Sequence, residues 1–222
     1  LYHKAMNKAD ISFSSDSIMK NVVAYYEKHG TSNERMLAYY MLGCVYRDIH
    51  EAPMALEYYN KATEQADTTS QDCDYATLCR IYGQMGILFE KQFLPYQELG
   101  ALAKAVKYAY SAKDTLNAIR YYQNKNSAYD FLGKKDSAMI INLKAANLFR
   151  KHGYDYDANI AFGCNYIYYI NNKNYPKAKE AFEAYQSTNY QGNTNYDDSK
   201  AFLLYEKGLY YMFMNNLNIA YT

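Results

Sequence analysis

Small and hydrophobic residues recur at intervals of three and four along most of this chain, which is the spacing of one face of an α-helix. Residues 39–62, YYMLGCVYRDIHEAPMALEYYNKA, show this pattern most fully. They follow the order aromatic-x2-Leu-Gly-x2-Tyr and then Ala-x3-aromatic-x2-Ala, carried by Tyr39, Leu42, Gly43, Tyr46, Ala55, Tyr59 and Ala62. Pro53 stands where a second helix would begin, and its missing N–H costs little there. The pattern predicts two antiparallel helices whose backbones approach most closely at Gly43 and Ala55.

The same arrangement recurs when the chain is anchored on an aromatic residue that precedes an alanine by nine positions. The pairs are Tyr46 with Ala55, Tyr129 with Ala138, Tyr169 with Ala178, and Tyr211 with Ala220. A degenerate copy lies at Phe89, where Glu98 takes the alanine position. Gly208 precedes Ala220 by twelve residues, as Gly43 precedes Ala55, and Gly86 keeps the glycine that Asn126 and Tyr166 replace elsewhere. The anchors are 43, 40, 40 and 42 residues apart, which indicates helical repeats.

These repeats predict an all-α fold, a right-handed α-α superhelix of stacked antiparallel helix pairs, in one solenoid domain spanning 1–222. The predicted repeats are 34–66, 72–112, 114–152, 155–189 and a truncated 196–222, after a partial repeat at 1–30. Their first helices lie near 34–48, 72–92, 114–132, 155–172 and 196–214. Their second helices lie near 53–66, 96–112, 135–152, 175–189 and from 216 onward. Because the last second helix has barely begun at Thr222, we expect the natural protein to continue.

The partial repeat is predicted to contribute one helix that ends at Gly30 and has Ile18, Val22 and Tyr25 on one face. His29 and His152 precede a glycine in the matching stretches EKHG and RKHG. This is typical of a helix end at which glycine adopts the left-handed conformation, so neither histidine is interpreted as catalytic.

The order of aromatic, Leu-Gly, Tyr, Ala and aromatic residues resembles the signature of the tetratricopeptide (TPR) repeat family. The period is longer than the typical value of about 34 residues, and HEAT-type repeats of about 40 to 47 residues would fit it better. The glycine and alanine positions favour the TPR type because they encode a close backbone contact. The resemblance implies a non-catalytic solenoid scaffold whose concave face binds a peptide or a partner helix.

In the TPR family, the first helix of each repeat lines most of the groove. By position, the resemblance places the following residues on or near it: Tyr40, Cys44, Arg47, Ile87, Glu90, Gln123, Ser127, Asp130, Ile167, Tyr205 and Leu209. One TPR subclass grips a terminal carboxylate with a lysine and an asparagine in its first repeat. Tyr40 and Cys44 hold those positions here, so a carboxylate clamp is not expected.

A second resemblance covers residues 16–62, which look like the TPR regions of Bacteroidetes proteins. Many of those proteins carry an export or lipid signal before the repeats, and a membrane helix with a cytoplasmic regulatory part after them. This implies an alternative function, a sensory or regulatory domain of a membrane-anchored signalling or transcription-regulating protein. The compartment would then be the periplasm or cell envelope, and without such a signal it would be the bacterial cytoplasm.

Composition and charge narrow the possible classes of function further. The chain has 24 Lys and Arg residues and 23 Asp and Glu residues, which gives a net charge of +1, and its basic residues form no clustered run. We therefore expect no direct contact with nucleic acid. No apolar run reaches the roughly 18 residues of a membrane span. The four cysteines form no CxxC pair, and there is no phosphate-binding glycine loop. We therefore expect no catalysis, no metal and no cofactor. We expect the partner to be a protein or a peptide. Self-association through the uncapped C-terminal end is a further expectation.

The 29 tyrosines have two explanations. A tyrosine can fill a seam while its hydroxyl reaches water or a carbonyl, or it can serve as an adhesive ring on a surface. Tyrosines at the signature positions are predicted to be structural, whereas Tyr40 and Tyr205 fit either role.

Overall fold

The computed structural model describes residue 7, residues 12–188, and residues 208, 211 and 212. All regular secondary structure in this part of the chain is helical, so the predicted all-α fold of stacked helix pairs is confirmed. The helices are α1 (Ser17–His29), α2 (Ser32–Asp48), α3 (Ala52–Glu64), α4 (Tyr75–Lys91), α5 (Pro95–Ser111), α6 (Thr115–Gln123), α7 (Lys125–Phe131), α8 (Lys135–Lys151), α9 (Asp155–Gly163), α10 (Tyr166–Asn171) and α11 (Tyr175–Thr188).

The chain divides into two compact units, Leu1–Phe131 and Leu132–Thr222. In the first unit each helix packs on the next from α1 to α6, and α7 packs on α5. In the second unit α8 packs on α9, while α11 packs on both α9 and α10. The core of the first unit is built mainly from α2, α3 and α4, and that of the second from α10 and α11.

The helix bounds predicted between residues 34 and 189 agree with the structure to within three residues, but two predicted first helices are each divided. The helix predicted at 114–132 forms α6 and α7, which separate at Asn124. The helix predicted at 155–172 forms α9 and α10, which separate at Cys164 and Asn165. The first helices of the two earlier repeats, α2 and α4, each run for 17 residues without interruption.

Five of the turns between helices share one hydrogen-bonding pattern, the Schellman motif. After α2, for example, the Glu51 N–H donates to the Tyr46 carbonyl at 2.8 Å, and the His50 N–H donates to that of Arg47 at 3.2 Å. The corresponding long bonds join Leu94 to Phe89, Asp114 to Ala109, Tyr154 to Phe149, and Asn174 to Tyr169. Left-handed backbone occurs at each of these turns and at the turn after α7: His50, Phe93, Lys113, Gly133, Gly153 and Lys173.

From Phe93 onward these left-handed residues are twenty positions apart, so the 40-residue repeat consists of two equal halves. In three of the predicted repeats the anchor aromatic, Tyr46, Phe89 or Tyr169, is the residue whose carbonyl closes a turn. The alanine nine positions later lies in the first turn of the next helix. Phe149 and Ala158 have the same relation between α8 and α9. The pairing of an aromatic residue with an alanine nine positions later therefore marks turns after second helices as well as after first helices. It recurs at half of the 40-residue period that was predicted from the sequence.

The alanine position is buried after all six turns. Its occupants are Ala55, Glu98, Ala118, Ala138, Ala158 and Ala178. Each of them donates its N–H to the carbonyl of the residue just before the helix. A methyl group suits this position because the neighbouring helix passes close by, and Glu98 is the single exception in the six.

Two predictions about helix α1 and the glycine caps need correction. Met19 and Val23 of α1 are buried, whereas Ile18 and Tyr25, on the predicted packing face, are 61% and 59% exposed. Gly153 adopts the predicted left-handed backbone with φ 76°. Gly30 instead has φ −87°, and the next residue, Thr31, is already the N-cap of α2. The Thr31 hydroxyl accepts a hydrogen bond from the Glu34 N–H.

Most of the predicted fifth repeat lies outside the described residues, including Tyr205, Leu209 and Ala220. Gly208 and Tyr211 are described and helical, and Tyr211 packs against the core of the second unit. The predictions of a fifth stacking repeat and of one continuous solenoid domain stay predictions.

Candidate partner-binding surface

The first helices α2 and α4 lie side by side in the first unit, joined by a hydrogen bond from the predicted groove residue Arg47 to Gln84. Arg47 Nη1 donates to Gln84 Oε1 at 2.9 Å. The same guanidinium pairs with Asp48, with 2.7 Å between Nη2 and Oδ1, and Nη2 also donates to Asn7 Oδ1 at 3.2 Å. Arg47 is half-buried, and its bonds to Gln84, Asp48 and Asn7 fix the orientation of its side chain on this surface.

The remaining predicted groove residues of the first unit differ in exposure. On α4, Ile87 is half-buried and Glu90 is exposed. On α6 and α7, Gln123 and Ser127 are half-buried and Asp130 is exposed. These side chains give the first helices a mixed apolar and polar surface. In the second unit, Ile167 of α10 is half-buried; Tyr205 and Leu209 lie outside the described residues.

Tyr40 and Cys44 do not lie on an open surface, which corrects the prediction for these two positions. Tyr40 is 5% exposed and Cys44 is fully buried. The Tyr59 hydroxyl donates to Cys44 Sγ at 3.6 Å, and the Tyr40 and Tyr59 rings lie 5.9 Å apart. Burial raises the pKa of the Cys44 thiol and of the Tyr40 phenol. The two residues form an interior cluster with an unreactive thiol, so Tyr40 takes the structural role.

The close contact predicted at Gly43 is confirmed. A Cβ atom at this position would overlap the Tyr59 ring of α3 and would lie 3.3 Å from the Ala55 carbonyl oxygen. Gly43, Ala55 and Tyr59 are all buried. The bare glycine lets the aromatic ring of the second helix lie directly against the backbone of the first.

Tyrosine rings pack against one another on two helix pairs of the first unit, α2–α3 and α4–α5. Tyr58 lies between Tyr39 and Tyr46, with ring centroids 6.3 Å and 5.3 Å away. The Tyr39 hydroxyl donates to Glu27 at 2.6 Å, and burial with this carboxylate raises its pKa to about 12. Tyr108 lies in the same way between Tyr75 and Tyr82, at 6.0 Å and 5.7 Å. These tyrosines fill the seams between helices.

Asn7 is a site residue that the sequence analysis missed. It is half-buried and accepts a hydrogen bond from Arg47 although 40 positions separate the two residues. Since the amino-terminal residues show no clear period, no sequence pattern placed Asn7 beside the predicted groove. Its amide oxygen occupies a position that another carbonyl oxygen could take.

No group of three or more His, Cys, Asp or Glu side chains among the described residues is arranged to hold a metal ion. No helix in the described ranges is long and apolar enough to cross a membrane. The four cysteines are free thiols.

Comparison with known proteins finds a likeness in fold. No protein-family model matches the chain, and no curated protein matches it. Among solved structures, the crystal structure of BtubC (BKLC) from P. vanneervenii is similar, with a TM-score of 0.71 and 14% sequence identity. The match covers 93% of this chain and 85% of that chain. At this identity the likeness shows a shared all-helical fold.

Proposed function

We propose that this chain is a non-catalytic scaffold of the TPR type that holds a peptide or a helix of a partner protein along its first helices. The observation that supports the proposal most is the bond between Arg47 of α2 and Gln84 of α4. It aligns two successive first helices, and it leaves Ile87 and Glu90 as the next side chains along the same surface.

The chemistry of this surface suits a ligand with alternating apolar and polar groups. Ile87 offers an apolar contact, while Gln84 and Glu90 offer an amide and a carboxylate. Arg47 is held rigidly by Asp48 and donates to the amide oxygen of Asn7. A backbone carbonyl of a bound peptide could accept the same hydrogen bond after displacing Asn7. Rigid donors and few mobile side chains lower the entropic cost of binding.

Peptide display on the immobilised protein, followed by calorimetry on the selected peptides, tests this proposal. Ile87→Arg places a bulky cation on the first-helix surface and should weaken binding by about tenfold or more, since that corresponds to losing one good apolar contact. Ala103→Arg is the matched control, because Ala103 is exposed on the second helix α5. Equal affinity of the wild type and Ile87→Arg, or an equal loss in Ala103→Arg, would contradict the proposed surface.

A sensory or regulatory domain of a larger membrane-anchored protein is the second proposal. It is favoured by the resemblance of residues 16–62 to TPR regions of Bacteroidetes proteins. The full reading frame of the gene discriminates between the two, since the sensor requires a membrane helix and an output domain encoded in the same frame.

A further inference from the structure

A side chain of α5 forms hydrogen bonds with the start of α7, where the third first helix is broken. Glu98 is 3% exposed, and its carboxyl oxygen Oε1 lies within hydrogen-bond distance of the Ser127 hydroxyl. The Ala128 N–H also donates to this carboxyl. Glu98 takes the position that alanine holds after the other five turns, and its longer side chain reaches the neighbouring helix. All three residues belong to the first unit.

The second break shows which bond this contact replaces. Before α10, the Asn165 carbonyl accepts the N–H of Tyr169, four residues later, at 3.1 Å, which is the ordinary helical bond. Before α7, the residue four positions after Asn124 is Ala128, whose N–H donates to the Glu98 carboxyl. A side chain from α5 has thus entered the hydrogen-bond ladder between α6 and α7. Such an insertion is one of the physical causes of a helix break.

Ser127 lies between two hydrogen-bond acceptors but has one hydrogen to donate. Its Oγ is 2.8 Å from the Asn124 carbonyl oxygen and within bonding distance of Glu98 Oε1. If Glu98 is protonated, its O–H donates to Ser127, and Ser127 donates to Asn124. If Glu98 is ionised, Ser127 has an acceptor on each side and bonds only one of them. The arrangement is therefore complete only with a proton on Glu98.

The surroundings of Glu98 favour that proton. Burial raises the pKa of the carboxyl, and the Glu90 carboxylate of α4 raises it further. The bonds from Ser127 and Ala128 lower the pKa, but they do not outweigh these effects. Within the described part of the chain, Glu90 is the one charged group that acts on Glu98, and no charged side chain of α6 or α7 compensates it.

We propose that Glu98 is a pH-dependent switch that controls the packing of α7 on α5. In the closed form, protonated Glu98 completes the network with Ser127 and holds α7 against α5. Ionisation removes the bond between Ser127 and Asn124 and leaves a charge in a buried position. Helix α7 then moves away from α5 and water reaches the carboxylate. The switch is closed at low pH and opens as the pH rises and Glu98 loses its proton.

The switch acts on one part of the first-helix surface. Helix α7 carries Ser127 and Asp130, whereas Arg47 and Ile87 lie on α2 and α4. Opening would therefore change the surface of the third repeat and leave that of the first two unchanged. Since the switch needs no bound partner, it can be tested whether or not the proposed scaffold function is correct.

Hydrogen exchange followed by NMR on the whole chain tests the switch. Protection factors, which correct for the intrinsic effect of pH on exchange, are measured for the α7 amides at about pH 5 and about pH 8. In the wild type we expect about tenfold lower protection at the higher pH, as follows from about one unit of pKa difference between the closed and open forms. Amides of α2 and α3 should keep their protection. Equal protection of α7 at both pH values would overturn the proposal.

Glu98→Gln should hold the switch closed at every pH. The glutamine amide is neutral, and it can donate to Ser127 while its oxygen accepts from Ala128. The α7 amides should then have the same protection at both pH values. Glu64→Gln is the matched control, because Glu64 is an exposed carboxylate of α3, and it should keep the wild-type response. A response that persists in Glu98→Gln would show that another group titrates, and would overturn the proposal.

Glu90→Gln is a second variant that keeps the proposal testable if Glu98→Gln fails to fold. It removes the like charge from an exposed position and leaves the bonds of Glu98 in place. The midpoint of the α7 transition, measured as protection over a series of pH values, should move to lower pH, because ionised Glu98 is then less unfavourable. A midpoint that stays where it is, or that moves to higher pH, would contradict the assignment of the switch to Glu98.

Discussion

The α2–α3 pair of the first unit and the helices α9, α10 and α11 of the second unit fill corresponding positions differently, with one aromatic ring in the first unit and two in the second. In the first, Gly43 lies in the first helix, and Tyr59 of the second helix covers it. In the second, Tyr166 occupies the position that corresponds to Gly43. Its ring lies 5.5 Å from that of Phe182, which corresponds to Tyr59. Two facing rings need more space than one ring against a bare backbone.

The extra ring coincides with a break in the helix. Helix α2 is continuous through Gly43, whereas α9 and α10 separate at Cys164 and Asn165, immediately before Tyr166. The close approach is found instead at Gly163, where a Cβ atom would lie 2.6 Å from Tyr185 Cβ and 3.1 Å from the Ala181 carbonyl oxygen. A solenoid repeat can therefore shift its closest backbone contact by about one helical turn, provided the first helix is interrupted.

The largest effect should come from Gly43→Leu. Because Tyr59 is fully buried, its ring has no space to move into, and the added side chain should lower the free energy of unfolding by about 3 kcal/mol. Denaturant unfolding measures the loss, and hydrogen exchange should locate it in the first unit. Gly100→Ala is the control, since Gly100 is exposed on α5 with no atom near its Cβ position, and it should stabilise by about 0.5–1 kcal/mol. An unchanged melt for Gly43→Leu would show that the packing against Tyr59 is wrong.

Gly163→Ala tests whether the close contact has moved in the second unit. Its methyl group would meet the Cβ atom of Tyr185 and a backbone carbonyl, which cannot shift without moving α11. We expect a loss of about 2 kcal/mol, with reduced hydrogen-exchange protection in the second unit. Gly86→Ala should cost less, since its methyl group would meet only the flexible end of Leu102. A greater loss in Gly86→Ala than in Gly163→Ala would reverse the comparison.

The sequence predicted the parts of the fold that depend on periodic and small residues. The bounds of α2 to α5, α8 and α11, and the contact of Gly43 with Ala55, follow from helical spacing and from the need for a small residue at a crossing. The breaks at Asn124 and Cys164 were not predicted; the second of them immediately precedes Tyr166, whose ring faces that of Phe182. The substitutions Asn126 and Tyr166 at the glycine position were the available signal, since each lies within two residues of a break.

The candidate site was predictable only in part for a similar reason. Position within a TPR-like repeat placed Arg47, Ile87 and Glu90 on half-buried or exposed surface. The same positional rule placed Tyr40 and Cys44 on this surface, but both are buried and form an interior cluster with Tyr59. The left-handed backbone of Phe93 was not predicted, because a lone aromatic residue in a turn has no period. It stands out only when the five turns from Phe93 to Lys173 are aligned at twenty-residue intervals.

Asn142 and Asn165 test a polar feature that distinguishes the second unit. Both are buried, and Asn142 Nδ2 donates to Asn165 Oδ1 at 3.0 Å, while Asn165 Nδ2 has no hydrogen-bond partner among the residues that the structure describes. The positions that correspond to Asn165 in the first two repeats hold Leu42 and Met85, both buried. Asn165→Leu alone should cost about 1–2 kcal/mol, because Asn142 loses an acceptor. The double variant with Asn142→Leu should recover most of that loss in denaturant melts, and additive losses would contradict the pairing.

Glu98 should give the smallest effect, since it alone departs from alanine at the position that both units share. Its carboxyl is buried beside the Ser127 hydroxyl, which donates to it, and burial raises its pKa, with a further contribution from Glu90. A carboxyl whose pKa is higher in the folded state binds its proton more tightly there. The ionised form therefore destabilises the fold at neutral pH, and protonation relieves this destabilisation as the pH falls through the folded-state pKa.

Relative to Glu98→Gln, the wild type should gain stability in urea melts between pH 7 and about pH 4. The difference between the two proteins removes the opposite contributions of Asp16, Glu34 and Asp67, whose pKa values are lowered. Parallel stability curves for the two proteins would show that Glu98 reaches water and that its position tolerates charge as readily as the surface does.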